Sequence, residues 1–409
     1  MKVILLSYMD DSGAGKAAVR LRNALIKIGI NTELWVHKKT TKYSKIIFNS
    51  FFQRLIIKVF SKLNYLLLKL QITKSKEFHS IDFFSLSPVD IINNSDADIV
   101  QINWVNNLLS VKDISNIKKP IAWRFSDMWP ICGAEHYVQS NDKRWINGYS
   151  NKNSNIKGWD LNMKMWKKKF LFWKKPINLI LPSKWLNSCV KKSRITKSWP
   201  SVIISTPIDT NIFKIYDQSQ CRNYFDLENK KKILLYGANL INEERKGYKI
   251  IKSILYNYSS FLSEYQIVVF GKENENLLKE YKNIVILNYI NNEKDLAKLY
   301  SAADIFLLPS IQDNLPQTGL EAQCCGLPIV TFNATGTSEI ILHKKTGYLA
   351  KPYYPESFIE GINWLKNAID DKRIIKKNIQ KRAHFIYDPI KIAQKYKSLY
   401  NNILNKKYL

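Results

Sequence analysis

The sequence predicts an α/β protein built from two doubly wound parallel-sheet domains. Three observations carry this expectation. Short apolar runs alternate with amphipathic stretches along nearly the whole chain, which is the pattern of strands joined by crossover helices. The alternation comes in two series, separated at Thr206-Pro207-Ile208-Asp209-Thr210. At 409 residues with 45% hydrophobic side chains, the chain can also fill two cores.

The first series opens with a strand at Lys2–Tyr8, a helix at Lys16–Ile28 and a strand at Thr32–Val36. Strands follow at Asp98–Trp104, Pro120–Phe125 and Asn178–Leu181, then a helix at Lys184–Lys191 and a closing strand at Ser201–Ile204. Phe51–Leu70 has the period of a basic amphipathic helix. Arg54, Lys58 and Lys62 repeat every four residues, and Leu55, Ile56, Val59, Phe60, Leu63, Leu66, Leu67 and Leu70 cover most of the remainder. Such a helix suits an anionic membrane surface, or equally a domain surface with a solvated lysine face. The basic, aromatic run Lys164–Lys175 is a second membrane candidate. Asn141–Lys157 is polar and without period, so it predicts a mobile loop.

The second series has strands at Lys232–Gly237, Gln266–Phe270, Ile284–Leu287, Asp304–Leu308 and Pro328–Phe332. Asp388-Pro389 places Asp at the cap and Pro at the first position of a last helix, Ile390–Leu404. The expected domains are 1–205 and 206–385, with 386–409 as a C-terminal helix returning to the first domain.

Net charge is +29 and the isoelectric point about 9.7, which favours an anionic partner. Met1-Lys2 runs directly into a strand, and no stretch of about 20 apolar residues exists, so neither a signal peptide nor a spanning helix is expected. Cys132, Cys189, Cys221, Cys324 and Cys325 are odd in number and lack a C-x-x-C pair. They read as reduced thiols, neither a disulfide framework nor a zinc site. Asp96-Ala97-Asp98 mimics a metal-binding D-x-D word, but it precedes its strand, on the wrong side of a parallel sheet for a ligand. No metal is expected.

The most informative block runs from Asp304 to Leu349. A buried strand leads into the polar loop Gln312–Gln317, then a helix opening at Thr318-Gly319-Leu320-Glu321. A second strand follows, then Thr335-Gly336 and a further helix at Ser338–Ile341. Asp313 and Glu321 bracket a helix N-terminus at the carboxyl end of a parallel strand, the place where ligands bind in open sheets. The helix start suits a phosphate and the carboxylates suit the hydroxyls of ribose or hexose, so the block points to a nucleotide-sugar. Two plainer readings compete. Thr318-x-x-Glu321 is also a capping box, and Asp313 could make an Asx-turn ahead of Pro316.

Asp313 and Glu321, with seven residues between them, resemble the acidic-x7-acidic signature of retaining glycosyltransferase family 4, where the first acid is usually Glu. Asp313–Pro316, Glu321–Pro328, Trp123–Pro130 and Gly133–Tyr137 are similar to bacterial members that build surface polysaccharides, including the colanic-acid and O-antigen groups. The resemblance implies a GT-B fold, two Rossmann-like domains facing a cleft. It implies that Glu321 binds the nucleotide ribose, Asp313 the transferred sugar, and the N–H groups of Gln317 and Thr318 beside Pro316 the diphosphate. Asn314, Leu315, Gly237, Gly271 and Tyr289 complete the implied nucleotide side. Lys246, before Gly247, matches the family's diphosphate-binding lysine. The family's Arg usually stands where this chain has Ala238-Asn239-Leu240, so Arg245 takes its place. Catalytic roles fall on Lys246, Arg245, Asp313 and Asp127, and the acceptor side on Asp127, His136, Ser126 and Asn103. Ser126 and Asn103 stand where the family often has His.

Gly13-x-Gly15-x-x-Ala18 imitates a dinucleotide fingerprint, but Met9–Ser12 separate it from the strand and two carboxylates precede it. A flexible cleft loop near the donor phosphate is expected instead. The resulting expectation is a cytoplasmic enzyme at the inner face of the membrane. It would transfer a hexose from a nucleotide-diphosphate sugar to a lipid-linked glycan acceptor, with retention and with no cofactor or nucleic acid. Alternatives are a nucleotide-sugar epimerase, a phosphorylase, a basic nucleic-acid- or membrane-binding protein, and an inactive scaffold.

Overall fold

The protein is described by a computed structural model covering residues 1–48, 50–73, 77–139, 141–154, 156–272, 281 and 284–406. The chain forms two compact units, Met1–Pro207 with Ile390–Leu409, and Ile208–Pro389. Each is a parallel sheet with crossover helices, the α/β class expected from the sequence.

In the first unit the order is β1 (Lys2–Met9), α1 (Gly13–Lys27), β2 (Asn31–Lys38), β3 (Lys45–Ile46), α2 (Phe51–Leu68), β4 (Gln71–Ile72), α3 (Val89–Asn93) and β5 (Ile99–Ile102). It continues through α4 (Val111–Asn116), β6 (Ile121–Arg124), α5 (Arg144–Asn147), β7 (Lys157–Gly158), α6 (Leu161–Phe172), β8 (Asn178–Leu181), α7 (Lys184–Lys192) and β9 (Ser201–Ile203). In the second unit it is α8 (Gln218–Tyr224), β10 (Lys232–Leu240), α9 (Tyr248–Asn257), α10 (Ser259–Leu262), β11 (Tyr265–Lys272), β12 (Ile284–Leu287), α11 (Glu293–Ala302) and β13 (Ile305–Leu308). Then come α12 (Gln317–Cys324), β14 (Ile329–Phe332), β15 (Gly347–Ala350), α13 (Pro355–Asp370), α14 (Lys376–Tyr387) and α15 (Pro389–Leu404).

The first sheet runs β3-β2-β1-β5-β6-β8-β9 and the second β12-β11-β10-β13-β14-β15, with parallel pairing throughout. A sheet with helices on both faces has no solvent side, so its central strands are apolar at every position. Ile4 and Leu6 face one core and Val3 and Leu5 the other; Leu235 and Leu234 divide in the same way. α15 joins the core of the first unit through Ile392, Tyr396 and Tyr400, and the Tyr400 hydroxyl donates to Gln101 Oε1 at 2.5 Å. In the second sheet the strand order reverses between β10 and β13. The loops leaving the carboxyl ends of those two strands therefore form the ligand crevice of that unit.

Several local expectations are corrected. α1 starts at Gly13, not Lys16, because the Ser12 side chain accepts from the Gly15 N–H. Gly13 and Gly15 are thus the first turn of a helix, not a flexible loop. A Cβ at Gly15 would lie 2.4 Å from the Met9 carbonyl oxygen, so that glycine serves close packing of α1 on β1. The expected helix at Ser338–Ile341 is a single 3₁₀ turn, Gly336–Glu339, and the edge strand β15 was not foreseen. Within Asn141–Lys157 there is ordered structure. Arg144 pairs with Asp142 at 2.7 Å and lies over the Tyr149 ring, whose hydroxyl donates to Glu135. The run Lys164–Lys175 is split between two faces: Met165, Trp166, Lys169 and Trp173 are buried, while Lys164, Lys167, Phe170, Leu171, Lys174 and Lys175 are exposed.

Candidate functional site

In the second unit, the loop after β10 ends in the 3₁₀ turn Glu244–Lys246, closed by Gly247 at φ +86°. A Cβ there would lie 2.1 Å from the Pro309 carbonyl oxygen, so only glycine lets this loop reach the one after β13. The two loops are tied by Ile311 N–H to Arg245 O at 2.8 Å and by Arg245 Nη1 to Gln312 O at 2.9 Å. These ties set Lys246 on Asp313 Oδ2, with Arg245 Nη1 at 3.4 Å from the same oxygen. Burial alone would raise the Asp313 pKa, but the two cations hold it below the ordinary carboxylate value.

Asp313 is fixed from behind. Its carbonyl accepts from Gly336 N–H at 3.0 Å, its N–H reaches Thr335 Oγ1 at 3.4 Å, and its Oδ1 accepts from Asn314 N–H at 2.9 Å. Thr335 is held at φ +53°, a costly conformation for a β-branched residue and one that clusters at binding sites. A Cβ on Gly336 would lie 1.4 Å from the Asn314 carbonyl oxygen. Gly336→Ala should therefore cost about 1–3 kcal/mol through overpacking and displace Asp313. Urea unfolding and donor binding of the variant check both effects.

α12 begins after Pro316, and no side chain caps it, so the Thr318–Glu321 capping box is not formed. Glu321 is buried one turn into the helix and accepts from the Tyr300 hydroxyl at 3.2 Å. Gln317 and Thr318 occupy its first turn, at the positive end of the helix dipole. The structure thus brings Lys246, Arg245, Asp313, Asn314, Leu315 and Pro316 to the strand-order reversal, with Gln317, Thr318 and Glu321 on the helix that leaves it. Gly237 and Gly271 have packing reasons of their own. A Cβ would lie 2.0 Å from the Phe270 ring at Gly237 and 2.1 Å from the Ala238 carbonyl oxygen at Gly271. Tyr289 follows β12 and carries the Lys272 ammonium 4.7 Å from its ring centre.

In the first unit, Asp127 and His136 are a buried pair, His136 Nδ1 to Asp127 Oδ2 at 2.7 Å. Trp104 Nε1 donates to the same carboxylate at 3.1 Å, and His136 Nε2 meets Ser80 Oγ at 2.9 Å and Asn106 Nδ2 at 2.8 Å. Burial would raise the Asp127 pKa, but His136, the Trp129 N–H and the Trp104 indole hold it below its ordinary 3.8. Its stabilising effect is therefore present at neutral pH and lost as pH falls below the ordinary carboxylate range. Asp127→Asn should remove that share of acid sensitivity, read from urea midpoints at neutral and acidic pH.

Asn103 is tied into the sheet of the first unit through both ends of its amide. It is buried, its Nδ2 donates to Leu6 O at 3.2 Å, and its Oδ1 accepts from Gln101 Nε2 at 3.0 Å. Ser126 is half-buried beside Arg124 Nη1 at 3.5 Å. Asp10 accepts from both the backbone and the hydroxyls of Thr40 and Thr41 and from the Ser44 hydroxyl, which brings its pKa down to about 2. Asp96 and Asp98 serve the Lys2 side chain and backbone at 2.7 Å each. Among the described residues, no group of three or more His, Cys, Asp or Glu side chains is placed to hold a metal. Sequence reasoning missed Tyr300, Ser80 and Asn106, which lie far along the chain from the residues they hold and carry no local motif.

The profile of the family described as "Glycosyl transferases group 1" matches residues 217–382. The chain is 27% identical over 202 residues to the N,N'-diacetylbacillosaminyl-diphospho-undecaprenol alpha-1,3-N-acetylgalactosaminyltransferase of Campylobacter jejuni, covering 47% of this chain and 51% of that one. The chain spans about a third to a half of the length of the curated relatives it matches. Its backbone is similar to that of sucrose-phosphate synthase from Thermosynechococcus elongatus, with a TM-score of 0.73 at 14% identity over 99% of this chain and 100% of that one. It is also similar to Anabaena HepE in complex with UDP-glucose, with a TM-score of 0.64 at 15% identity over 98% and 100% of the two chains. Residues 217–382, which carry Lys246, Asp313 and Glu321 at the reversal of the second sheet, are a glycosyltransferase group 1 domain on a chain of GT-B fold.

Proposed function

We propose that the protein is a retaining glycosyltransferase of surface-polysaccharide assembly. It moves a hexose from a nucleotide-diphosphate sugar to a lipid-linked glycan. The observation that carries this reading is the convergence of Lys246, Arg245 and Asp313 beside the start of α12, at the switch point of a Rossmann-like sheet. Cations and a helix N-terminus suit a diphosphate, and buried carboxylates suit the hydroxyls on either side of it. The name of the Campylobacter relative, which states a lipid-diphosphate acceptor, supports the acceptor class. The HepE complex with UDP-glucose supports the donor class.

Glu321 binds the ribose, the α12 amides of Gln317 and Thr318 meet the diphosphate, and Asp313 meets the sugar. The C1–oxygen bond to the phosphate breaks while an acceptor oxygen bonds to C1 on the same face. The acceptor proton passes to the departing phosphate oxygen. Lys246 stabilises the charge that develops there, so the reaction requires no metal. Incubation with UDP- and GDP-sugars and polyprenyl-diphosphate-linked acceptors should yield a longer lipid-linked glycan and free nucleoside diphosphate. A changed nucleotide-sugar formed without acceptor would instead make it an epimerase.

The enzyme works at the cytoplasmic face of the membrane through α2. Gln53, Ile57, Phe60 and Asn64 turn this helix inward, with Asn64 bonded to both backbone groups of Phe84. Phe52, Leu55, Ile56, Val59 and Leu66 form an apolar stripe facing solvent, with Phe52 74% and Val59 50% exposed. Arg54, Lys58 and Lys62 flank it as an exposed basic stripe. No helix among the described residues is long and apolar enough to cross a membrane. Vesicles containing phosphatidylglycerol should retain the protein. The double variant Leu55→Glu, Val59→Glu should lose retention at unchanged thermal stability, and equal retention would remove α2 from this role.

A further inference from the structure

We propose that Lys169 is a positioning residue for the acceptor side: its buried ammonium fixes Trp129–Gly133, and with that segment Asp127 and His136. This role rests on the acceptor-side reading of those two residues. Lys169 lies on α6 and is fully buried. Its Nζ donates to the carbonyls of Trp129, of Cys132 at 3.1 Å and of Gly133 at 2.6 Å. An ammonium has three N–H groups, and here each has one acceptor. The Trp129 ring centre lies 3.8 Å from the same nitrogen, a cation–π contact. Among the described residues no carboxylate lies within ion-pair distance, so the charge is spent on holding backbone.

The segment needs such a donor. Ile131 and Cys132 N–H groups both bond the Met128 carbonyl, at 2.9 and 3.0 Å, making one tight turn. No helix follows to satisfy the carbonyls that come after it. Lys169 supplies that satisfaction from a neighbouring element. α6 meets the segment a second time near its own start, where a Cβ on Gly133 would lie 2.4 Å from the Asn162 carbonyl oxygen. The segment is joined to both acceptor-side residues. Asp127 Oδ1 accepts from Trp129 N–H at 2.9 Å, and the His136 carbonyl accepts from Met128 N–H at 3.0 Å. A shift of Trp129–Gly133 therefore moves both groups.

Burial brings the Lys169 pKa down to about 7, against the attraction of Cys132, Glu135, Asp82 and Asp127, the groups that face it from the neighbouring segments. Asp82 is itself paired with Lys168 at 2.8 Å, and burial raises the Glu135 pKa beside the Tyr149 hydroxyl and Arg144. A neutral amine has two N–H groups, so one carbonyl loses its donor as pH rises through about 7. The folded pKa lies below the ordinary 10.5, so the whole fold does not lose stability from this group over the same rise. The grip on one segment loosens while the global midpoint does not fall.

The test is hydrogen–deuterium exchange of peptides within 126–137, corrected for intrinsic rates, on either side of a pH of about 7. In the wild type, protection should fall roughly tenfold on the alkaline side with no drop in thermal midpoint. Lys169→Met, which fills the space without donors, should exchange fast at both pH values. It should keep stabilisation by the nucleotide-sugar and lose about tenfold or more in turnover. A folded Lys169→Met with wild-type exchange in 126–137 overturns the proposal. If that variant does not fold, Lys169→Gln, which keeps two N–H donors on a shorter side chain, is read by the same exchange, and a folded Lys169→Gln with wild-type exchange and turnover overturns it equally. Failure of the wild type to bind any nucleotide-sugar would sink the enzymatic reading, a result distinct from either exchange outcome.

Discussion

Lys246→Ala should lower turnover about a hundred- to a thousandfold, the loss seen when one preorganised group facing a developing oxyanion is removed. The departing diphosphate carries more charge in the transition state than in the bound donor. Lys246 is therefore expected to act on kcat more than on KM. The lysine stands beside Asp313, with Arg245 Nη1 3.4 Å from the same carboxylate oxygen. The variant thus keeps one cation on a buried acid and should remain folded. Steady-state release of nucleoside diphosphate, with thermal unfolding alongside, separates the two effects. A folded variant with wild-type kcat would take Lys246 out of the chemistry.

Glu321→Ala should weaken donor binding about a hundredfold or more, because each hydrogen bond to a charged group contributes about 1.5–3 kcal/mol and the ribose offers two hydroxyls. The substitution also strips the Tyr300 hydroxyl of an acceptor in a buried place. Glu321→Gln separates these consequences. It keeps an acceptor for Tyr300 and should unfold near the wild-type temperature, yet it loses the charge that holds the ribose. Calorimetric titration with nucleotide-sugars reads the binding. Wild-type affinity in a folded Glu321→Gln would return this residue to a structural role beside Tyr300.

The strands were legible because parallel sheets covered on both faces need unbroken apolar runs. Asn178–Leu181 and Ile284–Leu287 have the bounds expected, and the other expected strands differ mainly at their ends, whereas the short strands β3, β4 and β7 and the edge strand β15 were not foreseen. Helix starts were harder, since the cap is a side-chain geometry and not a residue type. Ser12 caps α1 three residues earlier than the apolar period suggested, and Thr318 does not cap α12 because Pro316 already begins it. The acidic pair was visible as a spacing, but its surroundings were not. Tyr300, 21 residues from Glu321, and Thr335, 22 from Asp313, meet those residues only through the crossovers of the sheet. The same holds for Lys169. It read as one more lysine in a basic run, yet it lies 36 to 40 residues from the carbonyls it holds. Burial, which decides its role, is a property of packing that periodicity in α6 does not encode. In Phe51–Leu70 the reverse applies. The periodicity was plain, and the structure adds which of its three faces turns inward.

The most direct test of the central claim is a structure of the protein with a bound nucleotide-diphosphate sugar. The expected result has the diphosphate within hydrogen-bonding reach of Lys246 Nζ and the first-turn amides of α12, with the ribose hydroxyls on Glu321. A nucleotide seated away from the crevice between the loops after β10 and β13, or a ribose without contact to Glu321, would contradict it.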